Sequence, residues 1–128
     1  MSKDDAIDEL SACEDAGFIS LTSTAEFNLV IRLDVTDPDR IFEVAWTDFI
    51  SMAVRSEHYC QWDNDEVWTG KHVFRTYTKS KFLDFVDAGT FATADYPGPF
   101  THYQIQSLYQ IIDVASRQPP SVKIVDEA

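Results

Sequence analysis

The side chains with the clearest potential for chemistry are three histidines and two cysteines: His58, His72, His102, Cys13 and Cys60. His58 and Cys60 form the one close pair, and no second pair has the spacing typical of structural zinc sites. We therefore expect no metal site and no cofactor. Two cysteines without framework spacing indicate reduced thiols, as in cytosolic proteins.

Sequence motifs for catalysis are missing as well. The four glycines are scattered at positions 17, 70, 89 and 98, so there is no glycine-rich phosphate loop, and no G-x-S-x-G turn is present. We therefore expect that the chain is not an enzyme. The alternative is a small enzyme or ligand-binding domain whose pocket forms only in the tertiary structure. Its polar groups would come from Cys60, His72, His102 and Tyr103.

Tryptophans next to carboxylates give the strongest lead. The segment from Trp62 to Trp68 places three carboxylates between two tryptophans, and aromatic anchors beside charges are common at binding hot spots. A second group of four carboxylates, from Asp37 to Asp48, lies near a possible helix start. The predicted partner-binding residues are Trp62, Asp63, Asp65, Glu66, Trp68, Asp37, Asp39, Glu43 and Asp48. The simpler interpretation places the tryptophans at the edge of the core and the carboxylates in water.

The charge is distributed unevenly along the chain. The net charge is −12, and the first 68 residues carry 16 acidic and four basic side chains, whereas the remaining 60 carry six of each. Such a field repels nucleic acid and anionic lipid and attracts basic proteins. The distribution predicts a basic protein partner, no direct contact with nucleic acid and no membrane association.

Length and composition predict one globular domain over residues 1–128. An apolar content of 45% supports a hydrophobic core, and no apolar run approaches the roughly 20 residues that span a bilayer. The first residues are acidic and do not resemble a signal peptide. These features predict a soluble cytoplasmic protein.

The first half of the chain predicts one helix and two strands. Residues 1–17 form an acidic N-terminal helix with a weak apolar stripe, so we expect it to dock loosely, and Gly17 is suited to end it. Residues 18–22 are rich in β-formers. Residues 27–35 alternate apolar and polar side chains, which indicates a strand with one face on the core.

Residues 38–55 fit two interpretations. Thr36 or Asp37 as a cap and Pro38 in a first turn favour a helix, and apolar residues recur at helical spacing. Alternation from Phe42 to Val54 and many β-prone residues favour a strand. The start signal and the length make the helix the preferred prediction. In either case the segment is expected to be central to the core.

The second half predicts a series of alternating elements. They are an acidic loop over 57–70, a strand over 72–78, a helix over 80–88 capped by Ser80, a strand over 102–106, a helix over 108–115, a strand over 122–125 and a tail over 126–128. The order predicts an α+β fold. We expect a mixed, mostly antiparallel sheet of about five strands with the helices packed on one face.

Together these features predict a non-catalytic acidic domain that binds a protein. A small acidic chain without a catalytic motif suits the inhibition of a basic, nucleic-acid-acting protein. Bacterial toxin-immunity proteins and phage anti-defence proteins work in this way. The likeness is one of type, since no motif here matches a named family.

Overall fold

The computed structural model describes residues 3–36, 39–59, 64–90 and 98–125. In this part of the chain there are two α-helices, one short 3-10 helix and nine strands. In chain order they are α1 (Lys3–Ala12), β1 (Gly17–Ser23), β2 (Leu29–Val35), β3 (Arg40–Trp46), β4 (Ser51–Ser56), the 3-10 helix (Glu57–Tyr59), β5 (Val67–Gly70), β6 (Phe74–Lys79), α2 (Lys81–Gly89), β7 (Thr101–Gln106), β8 (Gln110–Ser116) and β9 (Ser121–Val125). The tail predicted over 126–128 lies outside the described residues.

The strands form two sheets. One has four strands in the order β1-β2-β3-β9, and the other has five in the order β4-β8-β7-β6-β5. Every pair of neighbouring strands is antiparallel. Apolar side chains from both sheets meet in one core cluster, so the sheets share a single hydrophobic centre.

Buried residues alternate with more exposed ones in β2 and β3, so the four-stranded sheet has one face on the core and one outer face. Leu33 of β2 and Phe42 of β3 are fully buried, while the residues beside them in each strand point away from the core. On this outer face Glu43 forms ion pairs with Arg32 at 3.1 Å and with Lys123 at 3.0 Å. The hydrogen bond from Lys123, followed by that from Arg32, lowers the pKa of the Glu43 carboxyl, although partial burial opposes the shift.

The helix predicted over residues 38–55 is wrong, because this segment forms strands β3 and β4. A turn separates them, and Asp48 in this turn has a left-handed backbone with φ 54°. The alternation of apolar and polar residues was the correct signal, since the alternate residues Val44 and Trp46 are buried. Asp37 and Pro38, which suggested a helix start, lie outside the described residues.

Three other predicted elements differ from the structure. The helix expected over 108–115 is strand β8, which is buried on both faces and therefore shows no alternation of apolar and polar residues. The acidic loop expected over 57–70 contains a 3-10 turn at Glu57–Tyr59 and the edge strand β5. Helix α1 ends at Ala12, and Gly17, which was expected to end it, begins β1 instead. The remaining predicted helices and strands agree in type with the elements found.

The α+β class is confirmed, but the nine strands form two sheets rather than one sheet of about five. The helices pack at different places. Helix α1, expected to dock loosely, buries Ala6 and Leu10 in the main core and contacts β9 and β6. Helix α2 buries Phe82 and Val86 in a separate small cluster with Ala115 of β8. The placement of both helices on one face is therefore not confirmed.

A pair of substitutions in β3 separates the strand from the rejected helix. Val44 faces the core and Ala45 faces outward in the strand, whereas a helix would place both on its apolar side. We expect Val44→Asp to lower the free energy of unfolding by at least about 3 kcal/mol, because it buries an unpaired charge. Ala45→Asp should change it by no more than about 1 kcal/mol. Urea denaturation measures both, and equal losses would contradict the strand.

Candidate functional site

An acidic cleft lies where the C-terminal end of α1 meets the end of β2. Its volume is about 500 Å³. Three carboxylates line it, those of Glu9, Glu14 and Asp15. The remaining lining residues are Ala12, Cys13, Val35 and Thr36. We call this group of residues the acidic cleft.

Local structure brings these carboxylates to one place. Helix α1 ends at Ala12, and the amide of Cys13 still donates to Leu10 O at 3.1 Å, so the chain turns directly from the helix into Glu14 and Asp15. Strand β1 then begins at Gly17 beside Asp34 of β2. A Cβ at position 17 would meet the exposed Asp34 carboxylate, which would have to move aside.

The electrostatics of the acidic cleft are strongly negative. Arg40 pairs with Glu9 at 3.2 Å. Within the described residues Glu14 and Asp15 have no hydrogen-bond or ion-pair partner, and both are exposed. The last turn of α1 has no basic residue, so the negative end of the helix dipole adds to the same field. The cleft is suited to a lysine or arginine side chain.

Cys13 in this cleft is not an activated nucleophile. Its thiol donates to Glu9 O at 3.3 Å. Burial raises the pKa of the thiol, and the nearby charges of Glu9 and Asp15 raise it further. Because the thiolate is the reactive form, the cleft disfavours thiol chemistry. The other cysteine, Cys60, lies outside the described residues.

The acidic residues predicted near β3 do not form one surface. Asp39 and Asp48 lie beyond opposite ends of this strand, and both are exposed. Glu43 lies between them and is neutralised by Arg32 and Lys123. Asp39 directly precedes Arg40, which pairs with a carboxylate of the acidic cleft, so Asp39 lies beside that cleft.

The described members of the predicted group near β5 lie at or just before this edge strand of the five-stranded sheet. Trp68 lies under the Arg75 guanidinium, 3.7 Å from the ring centroid. Glu66 accepts a hydrogen bond from the Lys81 amide at 3.0 Å and so helps to begin α2. Asp65 is exposed. The other predicted partner-binding residues, Asp37, Trp62 and Asp63, lie outside the described residues.

A buried polar network lies between the five-stranded sheet and α2. Ser80 Oγ is 2.7 Å from His102 Nδ1, and His102 Nε2 is 2.7 Å from Asp113 Oδ1. All three side chains are almost completely buried. The alternation of β7 and β8 explains their position, because His102 and Asp113 point away from the core that Tyr103 and Val114 enter.

Further contacts complete this network. Gln104 donates to the same Asp113 oxygen at 2.9 Å and accepts from the Tyr77 hydroxyl at 3.0 Å. The His102 ring packs between the rings of Tyr77 and Phe82, with centroids 4.6 and 4.7 Å away. Burial raises the pKa of Tyr77.

A small pocket of about 190 Å³ opens beside the network. It is lined by Arg55, Glu66, Lys81, Phe82, His102 and Asp113.

The order Ser80–His102–Asp113 has the composition of a nucleophile, base and orienting carboxylate. Ser80, however, is only 2% exposed and does not line the pocket. Its Oγ also accepts the Leu83 amide at 3.1 Å as the N-cap of α2. A substrate could reach this oxygen only after the cap had opened. In the arrangement found, the network holds α2 on the sheet.

Sequence reasoning identified some of these residues but not their assembly. It recognised Ser80 as a helix cap, and it named His102 as a polar group of a pocket in the alternative function. Glu9, Glu14 and Asp15 fell within the helix predicted over residues 1–17 and were not among the predicted partner-binding residues. One signal was available for Asp113, because a charged residue within an apolar run needs a buried partner.

No protein-family model, curated protein or solved structure matches this chain. Among the described residues, no helix combines the length and the apolar character needed to cross a membrane. The same part of the chain contains no group of three or more His, Cys, Asp or Glu side chains placed to hold a metal ion.

We expect the His102–Asp113 pair to contribute strongly to stability. Asp113→Asn places an amide where the carboxylate accepts two hydrogen bonds, and the free energy of unfolding should fall by about 3 kcal/mol. Asp87→Asn, on the exposed side of α2, is the matched control and should change it by no more than about 0.5 kcal/mol. Urea denaturation at neutral pH measures both. Equal stability of the two variants would show that the network is not formed.

Proposed function

We propose that this protein is a non-catalytic acidic domain that binds a basic protein and inhibits it by covering its cationic surface. The observation that carries this proposal is the acidic cleft. It combines a concave shape, two carboxylates without partners in the described residues and the negative end of α1. Lysine and arginine side chains of a partner match this combination in charge and size.

The distribution of charge supports the same proposal. Exposed carboxylates without described ion pairs also lie at Asp34 and Asp39, on either side of the lining residues Val35 and Thr36. The cleft is therefore the centre of a wider negative region. Such a region accelerates encounter with a cationic surface and gives an association that weakens with salt.

The partner is expected to act on nucleic acid, because enzymes and toxins of that kind expose cationic surfaces to the phosphate backbone. An acidic protein that covers such a surface inhibits by competition and needs no catalytic residue of its own. Toxin-immunity and phage anti-defence proteins are the types of protein that act in this manner.

Reversal of the cleft charges tests the proposal. The partner is captured from lysate of the native host at low salt, released at high salt, identified and purified. We expect Glu14→Lys with Asp15→Lys to weaken its binding at least about ten-fold, since each substitution opposes a cationic partner. Isothermal titration at two salt concentrations gives the dissociation constants.

The matched control reverses two exposed carboxylates of α2, Asp84→Lys with Asp87→Lys, and changes the net charge equally. We expect it to weaken binding by less than about three-fold, because α2 packs on β8 and neither residue lines the cleft. Equal losses in both variants would assign the effect to net charge rather than to the cleft. Binding that does not respond to salt, or a partner without a basic surface, would refute the proposal.

The Ser80–His102–Asp113 chain favours a second candidate function, a small enzyme or ligand-binding domain. In this candidate the pocket of about 190 Å³ admits the substrate, and Ser80 attacks it after the N-cap hydrogen bond opens. His102 would accept the serine proton, and Asp113 would orient the ring and stabilise its charged form.

A fluorophosphonate probe separates the two candidates. The second candidate predicts covalent labelling of Ser80 with loss of fluoride, and loss of labelling in Ser80→Ala and in His102→Gln. Our principal proposal predicts no labelling of the native protein, because Ser80 is buried. Mass spectrometry of the intact chain measures the adduct. Stoichiometric labelling at Ser80 would favour the enzyme.

A further inference from the structure

The tip of the hairpin between β7 and β8 exposes two large apolar side chains. Leu108 is 47% exposed and Tyr109 is 66% exposed. The Tyr109 ring has one described aromatic neighbour, His58, at a centroid distance of 5.9 Å, and His58 is itself exposed. Packing within the fold therefore does not account for a tyrosine at this position.

The backbone conformation of residue 109 makes a tyrosine at this position more unusual. Its φ is 74°, in the left-handed region that bulky side chains rarely occupy. Tyr109 is the third residue of the turn Ser107–Gln110, and glycine or asparagine usually supplies a positive φ in turns. Strained backbone persists only where the surrounding structure imposes it, and such residues are concentrated at functional sites.

Hydrogen bonds hold the tip in a fixed position. The Leu108 amide donates to Ala16 O at 2.8 Å, and the Glu57 amide donates to Tyr109 O at 2.9 Å. Leu108 also forms a parallel bridge with Gly17. The tip is thus fixed both to the start of β1 and to the end of β4. Because the backbone of the tip is already ordered, binding through its side chains requires little further ordering of the chain.

Carboxylates lie on both sides of this tip. Glu57, whose amide contacts Tyr109, is exposed. On the other side, Ala16 directly follows Asp15, which lines the acidic cleft. An aromatic anchor with charged groups at its rim is the usual composition of a binding hot spot.

We propose that Leu108 and Tyr109 are the apolar anchor by which this protein holds its basic partner. The partner presents an apolar pocket for the Tyr109 ring, bordered by lysine or arginine side chains that meet Asp15 and Glu57. This inference rests on the proposed function, because the occupant is the same basic protein. It adds the position and the chemistry of the central contact.

Phe27 provides a matched control at another turn. It is also an exposed aromatic residue, 59% accessible, with a left-handed φ of 62°. It packs edge-to-face on Phe49 with centroids 6.1 Å apart, and its carbonyl accepts the Phe49 amide. Phe49 is partly buried against the main core, whereas His58, the aromatic neighbour of Tyr109, is exposed.

Site-specific crosslinking in the native host tests the anchor. The photoreactive residue p-benzoylphenylalanine replaces Tyr109 in one variant and Phe27 in another. We expect position 109 to crosslink to one basic protein and position 27 to give no crosslink to it. Absence of a crosslink at position 109, or a crosslink to an acidic protein, would overturn the inference.

Glycine substitutions then measure the contribution of the ring with the crosslinked protein, purified, as the probe. Tyr109→Gly should weaken binding at least about 30-fold, the loss typical of a hot-spot residue. Because glycine accepts the left-handed backbone, the urea midpoint should stay the same or rise. Phe27→Gly should leave the affinity unchanged. Unchanged affinity in Tyr109→Gly would refute the anchor.

The two proposals fail in different ways. If the Glu14 and Asp15 reversals weaken binding and Tyr109→Gly does not, the result supports the proposed function and refutes the role of Tyr109 as the anchor. If Tyr109→Gly weakens binding and neither the cleft reversals nor salt has an effect, the tip is a contact surface but the partner is not bound by charge. That second result would refute both the proposed function and the basic partner assigned to the anchor.

Discussion

Strand β8 is buried on both of its faces, and the rest of the five-stranded sheet is organised around this constraint. Ile112 and Val114 enter the core shared with the other sheet, whereas Asp113 and Ala115 face α2. A carboxylate in such a position needs hydrogen bonds from its neighbours, and His102 and Gln104 on the adjacent strand supply them. The same register places the turn at Leu108 and Tyr109 against the start of β1. One central strand thus connects the core, the polar network and the exposed tip.

The sequence predicted elements well where a single period and clear end signals coincided. Alternation identified β2, and the Ser80 cap identified α2. Prediction failed where a strand is buried on both faces, because its sequence then lacks the alternation of apolar and polar residues. In the segment predicted as a helix over 108–115, strand β8 is buried on both faces, and its mostly apolar sequence fits helical spacing as readily as strand spacing. Over residues 38–55 the apparent helix start made the helix the preferred prediction. The alternation of two short strands was present in the sequence, but the turn at Asp48 divides it into two parts.

The candidate site was less predictable than the fold, because sequence proximity was a poor guide to proximity in space. The carboxylates chosen around β3 are neighbours in sequence, but an extended strand separates Asp39 from Asp48 by its full length. Glu43 has its charge balanced by Arg32 and Lys123, whose positions follow from strand pairing and cannot be read before the sheet order is known. The cleft joins α1 to the end of β2, and nothing in the sequence indicates that these two segments meet. The position of Tyr109 in a left-handed turn depends in the same way on the register of β7 with β8.

Charge and apolar contact have different consequences for association. A negative field extends over a Debye length, so the carboxylates of the first half act mainly on the rate of encounter. Such a field attracts any basic protein and gives little discrimination among them. A fixed aromatic side chain acts only after contact, where shape decides whether it is buried, and it governs mainly the rate of dissociation. Hydrogen bonds from the amides of Leu108 and Glu57 fix the tip beside Asp15, so the partner that we propose would meet the anchor in a defined orientation. In the mode of binding that we propose, specificity depends on Tyr109, which has a left-handed backbone, rather than on the large negative charge.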